Sequence, residues 1–188
     1  MKKRFSFTLV ELLGAMALIV ILAGIAFSGY TYAMNRAKES ATTSTIKQIE
    51  TALEAAKIKA GYYPASADYA VIKFTVDSSE LLKTVEFGST VLSADKNKKL
   101  FAEFKKIIDF EAIRQNLGDD GTLEDGFGGK IYYAFPGKIN KTGFDLVSAG
   151  PDGVFAKDDD KDGKPDNNSA RSDYYDGSER IVDDISNF

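Results

Sequence analysis

The chain has no cysteine, no histidine and no tryptophan among its 188 residues, and only four prolines. Without cysteine there is no disulfide, and without cysteine or histidine there is no conventional structural zinc site and no Ser-His or Cys-His catalytic pair. An exported domain of this composition must be held by its apolar core or by a hard metal ion. The first proline is Pro64, so no proline interrupts a helix before that point.

A long apolar stretch lies behind the basic residues Lys2, Lys3 and Arg4. The run Leu12–Asn35 carries no charge, and at about 1.5 Å per residue it is long enough to cross a hydrocarbon core of about 30 Å as a helix. A secretory signal peptide is the competing interpretation, but its apolar region is only about 7–15 residues long and an Ala-x-Ala cleavage site should follow. We therefore predict a single membrane-spanning helix, with Met1–Arg4 cytoplasmic by the positive-inside rule.

One carboxylate, Glu11, stands at the start of this apolar stretch. A carboxylate in hydrocarbon costs about 2.5–3.5 kcal/mol on insertion scales, so it needs a compensating partner unless it lies at the headgroup level. From the residues alone, both alternatives stay open.

The N-terminus resembles that of type IV pilins and pseudopilins in its basic leader, its segment Phe7-Thr8-Leu9-Val10-Glu11 and its apolar helix. The resemblance implies that prepilin peptidase cuts between Ser6 and Phe7 and methylates the new amine of Phe7. It also implies that Glu11 faces this amine on a neighbouring subunit of a filament, where each charge compensates the other. The chain departs from the family at Ser6, where relatives usually have Gly, and in a helix without the proline that many carry.

The helix is predicted to continue beyond the membrane, because neither Pro nor Gly occurs between Ala33 and Ala60. Apolar residues recur there with alternating spacings of three and four, at Ile46, Ile49, Leu53, Ala56 and Ala60. We therefore predict one helix from Phe7 to Ala60, ended by Gly61. The predicted domains are a leader (1–6), a membrane and polymerisation half of the helix (7–34) and a soluble extracytoplasmic domain (35–188) that begins with an amphipathic helix (35–60).

The predicted fold class is α+β and type IV pilin-like: a long N-terminal helix packed on a small antiparallel sheet, with a calcium-binding C-terminal loop. A variable middle region spans residues 66–118, with a strand at Tyr69–Val76, a helix beginning at Asp77–Glu80 and another helix over 97–117. The sheet is predicted within residues 126–148, with strands at 126–135 and 144–148.

Two further segments resemble the major pseudopilins (protein G) of type II secretion. The segment Asp125–Tyr133 is similar to their Asp-Pro-Trp-Gly segment and the strand after it, with Gly126 and Phe127 in place of Pro and Trp. The segment Phe144–Gly153 is similar to their second strand and the loop beyond it. In this order and behind this N-terminus, the two segments favour a major pseudopilin.

An acidic loop follows, in which Asp158, Asp160 and Asp162 occupy every second position before Gly163, with Asp166 beyond. A solvated, disordered acidic tail is the ordinary interpretation of such a run. The spacing, however, matches the start of a calcium loop, whose oxygens converge because the chain turns at the glycine. The bidentate Glu of an EF-hand is missing, and Mg²⁺ is disfavoured by its stricter octahedral geometry.

The resemblance implies a calcium site in the same region, with predicted bounds of 146–169. Major pseudopilins carry Ca²⁺ in the loop after their second strand. Carried over onto this chain, the ligands are the carbonyl of Leu146, Ser148, and carboxylates of Asp152 and of Asp158 or Asp159. The spacing pattern adds Asp160, Asp162 and Asp166, so two ions are also possible.

The resemblance implies a structural subunit and not an enzyme, polymerising into the periplasmic pseudopilus of a type II secretion system. Its implied partners are other copies of itself, other pseudopilins, prepilin peptidase and the secretion platform of the inner membrane. Removing the leader takes the formal net charge from −4 to −7, which disfavours nucleic acid as a ligand. The alternatives are a subunit of a surface type IV pilus for adhesion, motility or DNA uptake, and a membrane-anchored calcium-binding protein that does not polymerise.

Overall fold

A computed structural model describes residues 9–153, 175–176, 179–180 and 185–187. The chain divides into two units, Met1–Ala37 and Lys38–Phe188. Helix α1 runs from Leu9 to Ala60, as the absence of proline and glycine in its second half predicts. It ends because Gly61 takes a φ of 93°, which glycine adopts without strain, and the Gly61 N–H donates to the carbonyl of Lys57 at 2.7 Å.

In the first unit, the large apolar side chains of α1 are all exposed within the chain. Between Leu9 and Phe27 their exposed fractions range from 57% at Met16 to 76% at Val10. Exposed apolar surface on this scale marks a membrane or protein contact, since it is not stable in water.

The second unit contains a six-stranded antiparallel sheet in the order β3-β2-β1-β4-β5-β8. A separate two-stranded ribbon pairs β6 with β7. The strands are β1 (Ser66–Val76), β2 (Leu82–Phe87), β3 (Thr90–Ser93), β4 (Ile131–Phe135), β5 (Asp145–Ser148), β6 (Tyr175–Asp176), β7 (Glu179–Arg180) and β8 (Ile185–Ser186).

The predicted apolar stripe of α1 forms one side of the core in this unit. Ile46, Ile49, Leu53 and Ala56 are buried among sheet residues, and Ala60 packs against them. Edge-to-face aromatic pairs fill the core between the strands, with centroid distances from 4.8 to 5.9 Å. A long helix packed on a small antiparallel sheet is thus confirmed.

The helix predicted to begin at Asp77–Glu80 is wrong. The Asp77 carboxylate instead accepts hydrogen bonds from the N–H groups of Ser79 (2.8 Å) and Leu81 (3.0 Å), which closes a turn. Glu80 has a φ of 61°, and this reverses the chain so that Leu82 pairs with Val76. Aspartate at a helix start and aspartate in a turn use the same side-chain bonds, so the sequence signal was ambiguous.

The helix predicted over 97–117 is two short helices, α2 (Lys98–Ile107) and α3 (Phe110–Arg114). Ile108 is extended with a ψ of 128°, and Asp109 then caps α3 by accepting from the Ala112 N–H at 3.3 Å. The sheet is also larger than predicted, because β1, β2 and β3 all come from the middle region. Conversely, residues 126–129 form a turn and no strand.

The free edge of β3 is covered by the loop that follows it. The side-chain amide of Asn97 donates to the carbonyl of Val91 at 2.8 Å, and the Ser93 N–H donates to the carbonyl of Lys96 at 2.8 Å. These bonds occupy backbone groups that an incoming strand would use.

A fully buried carboxylate, Asp145, organises the turn between β4 and β5. It accepts four hydrogen bonds, from the N–H groups of Lys138 (2.6 Å), Ile139 (2.9 Å) and Asn140 (2.8 Å) and from the hydroxyl of Tyr69 (2.9 Å). Burying a charge is unfavourable unless it is hydrogen-bonded, so this set explains why the carboxylate is tolerated.

Replacing Asp145 by Asn should lower the free energy of unfolding by about 3 kcal/mol, because the new NH₂ faces donors and leaves buried groups unsatisfied. Urea denaturation followed by circular dichroism measures the change. Asp95→Asn, at an exposed position, is the matched control and should change stability by less than about 0.5 kcal/mol. Equal stability of the two variants would contradict this role for Asp145.

Candidate functional site

Of the predicted processing and assembly residues, the structure describes the acid, Glu11, which lies at the beginning of α1. Ser6 and Phe7 fall outside the described residues. Glu11 lies in the first turn of α1, between the exposed apolar residues Val10 and Leu12. The structure therefore places the acid at the start of an apolar helical surface, as the sequence predicted.

The first part of α1 has the length and hydropathy needed to cross a membrane. An 18-residue window of the helix satisfies both conditions, and none of that window is buried within the chain. A core helix of similar hydropathy would be mostly buried. This exposure agrees with a membrane anchor.

Two threonines attach α1 to the sheet domain where the second unit begins. The Thr42 hydroxyl donates to the carbonyl of Lys38 (2.9 Å) and accepts from the N–H of Gly126 (2.9 Å). The Thr45 hydroxyl donates to the carbonyl of Ala41 (3.0 Å) and accepts from the side-chain amide of Asn116 (2.8 Å). Both threonines are buried, so these bonds are shielded from water.

Residues 125–129, which we call the docking turn, approach the backbone of α1 at Lys38. A Cβ atom at position 126 would lie 2.6 Å from the Lys38 carbonyl oxygen, so only glycine fits. The Lys38 ammonium lies 5.5 Å from the centre of the Phe127 ring, at cation–π distance. The segment that resembles the Asp-Pro-Trp-Gly motif thus holds the helix.

The buried carboxylate of Asp125 shapes the docking turn and links it to β5. One oxygen accepts from the N–H groups of Phe127 and Gly129, each at 2.8 Å. The other accepts from the hydroxyl of Ser148 at 2.5 Å. Ser148 therefore supports the attachment of α1, a role that its candidacy as a calcium ligand did not anticipate.

The predicted calcium ligands are only partly described. Leu146 and Ser148 lie on β5, and the backbone of Asp152 ends a 3-10 turn at Gly150–Asp152. No group of three Asp, Glu, His or Cys residues that could hold a metal ion occurs in the described part of the chain. The other predicted ligands lie outside the described residues: Asp158, Asp159, Asp160, Asp162 and Asp166.

The two described donors are oxygens, which is the chemistry calcium prefers, but both already have partners. The Leu146 carbonyl accepts from the N–H of Asn187 at 3.2 Å. The Ser148 hydroxyl donates to Asp125 and accepts from the N–H of Gly150 at 3.1 Å. Each oxygen keeps one lone pair, so any ion here needs the carboxylates of the acidic loop as its main ligands.

A family model described as the prokaryotic N-terminal methylation motif matches residues 1–27. This motif is the one by which the N-terminus resembles type IV pilins and pseudopilins, and it covers the first 27 of the 188 residues. Neither the comparison with curated proteins nor that with solved structures gave a match. The matched residues contain the predicted leader, Phe7, Glu11 and the first part of α1, so they coincide with the segment on which the resemblance was based.

The motif has general consequences for the N-terminus. A pilin-type motif implies processing by prepilin peptidase and assembly into a filament, and it agrees with anchoring by the apolar first part of α1. The motif is common to secretion pseudopilins and surface pilins, so it does not separate the two.

The sequence did not reveal how the sheet domain holds α1. Thr42 and Thr45 looked like ordinary polar residues, because their importance depends on Gly126 and Asn116, which lie far along the chain. The available signal was the pair of threonines three residues apart on the buried stripe, next to Ile46 and Ile49.

Gly126→Ala should lower the free energy of unfolding of the sheet domain by about 1–3 kcal/mol, since the new methyl group meets the backbone of Lys38. Chemical denaturation of the full chain in detergent micelles measures this. Gly24→Ala is the control, because a Cβ there has no neighbour within 4 Å. If Gly126→Ala is as stable as the control, the close approach of the docking turn to α1 does not exist in solution.

Proposed function

We propose that the chain is a structural subunit of a periplasmic pseudopilus in a type II secretion system, where it drives or scaffolds the export of folded proteins. The observation that carries the proposal is the apolar start of α1 with Glu11 in its first turn, within the methylation motif. The docking turn adds support, because the segment similar to the Asp-Pro-Trp-Gly motif of major pseudopilins has a defined structural task here.

Assembly depends on one charge pair in an apolar setting. After cleavage behind Ser6, the amine of Phe7 is positively charged, and Glu11 of a neighbouring subunit supplies the negative charge. Neither charge is stable alone in hydrocarbon, so each subunit enters the filament in the register that brings the two together. The apolar side chains between Leu9 and Phe27 then pack against copies of themselves and lipid.

The remaining features of the proposal follow from the membrane anchor. The leader is cytoplasmic, α1 crosses the inner membrane once, and the sheet domain lies in the periplasm. The subunit catalyses nothing; its work is mechanical and structural. Its partners are other pseudopilins, prepilin peptidase and the membrane platform of the secretion system.

Glu11→Ala should abolish filament formation while the sheet domain stays folded, because the variant removes the charge that pairs with the Phe7 amine. Filaments are counted by electron microscopy of cells that overproduce the subunit. Intact mass of membrane-extracted protein shows in parallel whether residues 1–6 have been removed and one methyl group added. Glu111→Gln, a charge removal on the exposed surface of α3, is the control and should assemble normally.

Normal filaments from the Glu11 variant would refute the pairing mechanism. A mass that begins at Met1 would refute pilin processing altogether. Long extracellular fibres, in place of short periplasmic ones, would assign the subunit to a surface type IV pilus instead.

We further propose that Ca²⁺ orders residues 146–169. The ion would be held by carboxylates of Asp152 and of Asp158 or Asp159, with Asp160, Asp162 and Asp166 as further ligands. Leu146 and Ser148 would contribute their remaining lone pairs. The ion would neutralise a run of carboxylates that otherwise repel one another, and it would replace the missing disulfide.

Adding Ca²⁺ should raise the melting temperature of the full chain by several degrees, and a chelator should reverse the shift, because a ligand that binds only the folded state stabilises it. Replacing Asp158, Asp160 and Asp162 together by Asn should remove the calcium response. Asp119→Asn, an exposed acid elsewhere, should keep it. The same melting temperature with calcium and with chelator would refute the site.

A further inference from the structure

A preformed cleft lies where three connecting segments of the sheet domain meet. It has a volume of about 340 Å³, at the lower end of the range of about 300–1,000 Å³ for small-molecule sites. Its walls are formed by the segment after α1, by the turn between β2 and β3 with the start of β3, and by the segment before α2. The polar and aromatic side chains that line it are Tyr62, Tyr63, Ser89, Thr90, Lys96 and Asn97.

Hydrogen bonds join these walls to one another. The Thr90 hydroxyl donates to the carbonyl of Ala65 at 2.6 Å, and the Tyr62 hydroxyl donates to the side-chain oxygen of Asn97 at 3.2 Å. The amide of Asn97 is itself held by the carbonyl of Val91. A cleft whose walls are bonded in this way needs little rearrangement to receive a ligand, which lowers the cost of binding.

Two polar groups in the cleft are available for a ligand. The ammonium group of Lys96 and the hydroxyl of Ser89 make no hydrogen bond or ion pair with the residues that the structure describes. Tyr62 is 45% exposed, so the face of its ring is accessible. The cleft thus offers one cation, one hydroxyl and an aromatic surface side by side.

The charged residue that lines the cleft is a cation, Lys96. A second ammonium group, that of Lys57, lies 4.5 Å from the centre of the ring of Tyr63, another lining residue. No acid lines the cleft. A small concave site with charges of one sign concentrates ligands of the opposite sign.

One acid, Glu54, contacts a residue of the cleft without lining it. Its carboxylate accepts a hydrogen bond from the Tyr63 hydroxyl at 2.6 Å. Burial, and then the Glu54 carboxylate, raise the pKa of Tyr63 far above its ordinary value, so the phenol stays neutral. Asp95 directly precedes Lys96, is exposed and does not line the cleft.

We propose that this cleft binds an anionic sugar, a ring of monosaccharide size that carries a carboxylate or phosphate group. Lys96 pairs with the anionic group, the ring lies against Tyr62, and the hydroxyls meet Ser89 and Asn97. This function is separate from filament assembly, because none of these residues belongs to the apolar part of α1 between Leu9 and Phe27.

Binding is tested by calorimetry on the full chain in detergent micelles, with glucuronate, glucose 6-phosphate, glucose and glutamate as probes. Both anionic sugars should bind saturably, and neutral glucose at least about tenfold more weakly, since it lacks the charge that meets Lys96. Glutamate should also bind about tenfold more weakly, since it lacks the ring.

Lys96→Gln should weaken glucuronate binding by about tenfold or more, and Tyr62→Ala should do the same without altering the melting temperature. Lys106→Gln, which removes a lysine that is paired with Glu103 on α2, is the control and should leave affinity within about twofold. Equal binding of glucose and glucuronate, an unaffected Lys96→Gln variant, or no saturable binding of either anionic sugar would overturn the proposal. Equal binding of glutamate and glucuronate would overturn the assignment of a sugar.

Discussion

The apolar surface of α1 between Leu9 and Phe27 cannot remain in water, and the part of the chain that the structure describes does not cover it. The proposed role as a filament subunit follows from that constraint. In that proposal, lipid covers the surface before assembly, and copies of the same helix cover it afterwards. The constraint also explains the single acid, because within such a surface one charge with one complementary partner determines which neighbours fit and in which register.

The helix and its boundaries could be predicted because their causes are local. An uninterrupted apolar run, a stripe with helical spacing and a stop at Gly61 are all determined by residues close together in sequence. The turn at Asp77 and the break at Ile108 could not be predicted in the same way. Both depend on tertiary pairing, of Leu82 with Val76 in one case and of α3 with the core in the other, and this pairing overrides the local helical preference.

The candidate sites also divide into features that depend on nearby residues and features that depend on contacts between distant ones. The N-terminal motif was recognisable because the leader, Phe7 and Glu11 lie within a dozen positions of one another. The contact between the docking turn and α1 was not, because it joins Gly126 to Thr42, more than eighty positions away. Ser148 illustrates the difference. The family resemblance named it as a metal ligand, and the structure shows its hydroxyl bonded to Asp125, where it helps to secure α1. Two buried carboxylates, Asp125 and Asp145, each fix a turn through several hydrogen bonds. In disulfide-bonded domains, covalent cross-links have this role.

The covered edge of β3 gains importance once many copies stand side by side. In a filament the local concentration of sheet domains is very high, and a bare strand edge would invite neighbouring sheets to merge into an irreversible β-aggregate. Asn97 and Lys96 occupy two backbone groups of that edge, the carbonyl of Val91 and the N–H of Ser93, which opposes contact between domains by strand addition there. A filament of the kind proposed above then stays free to take up and release subunits, which a fused sheet would prevent.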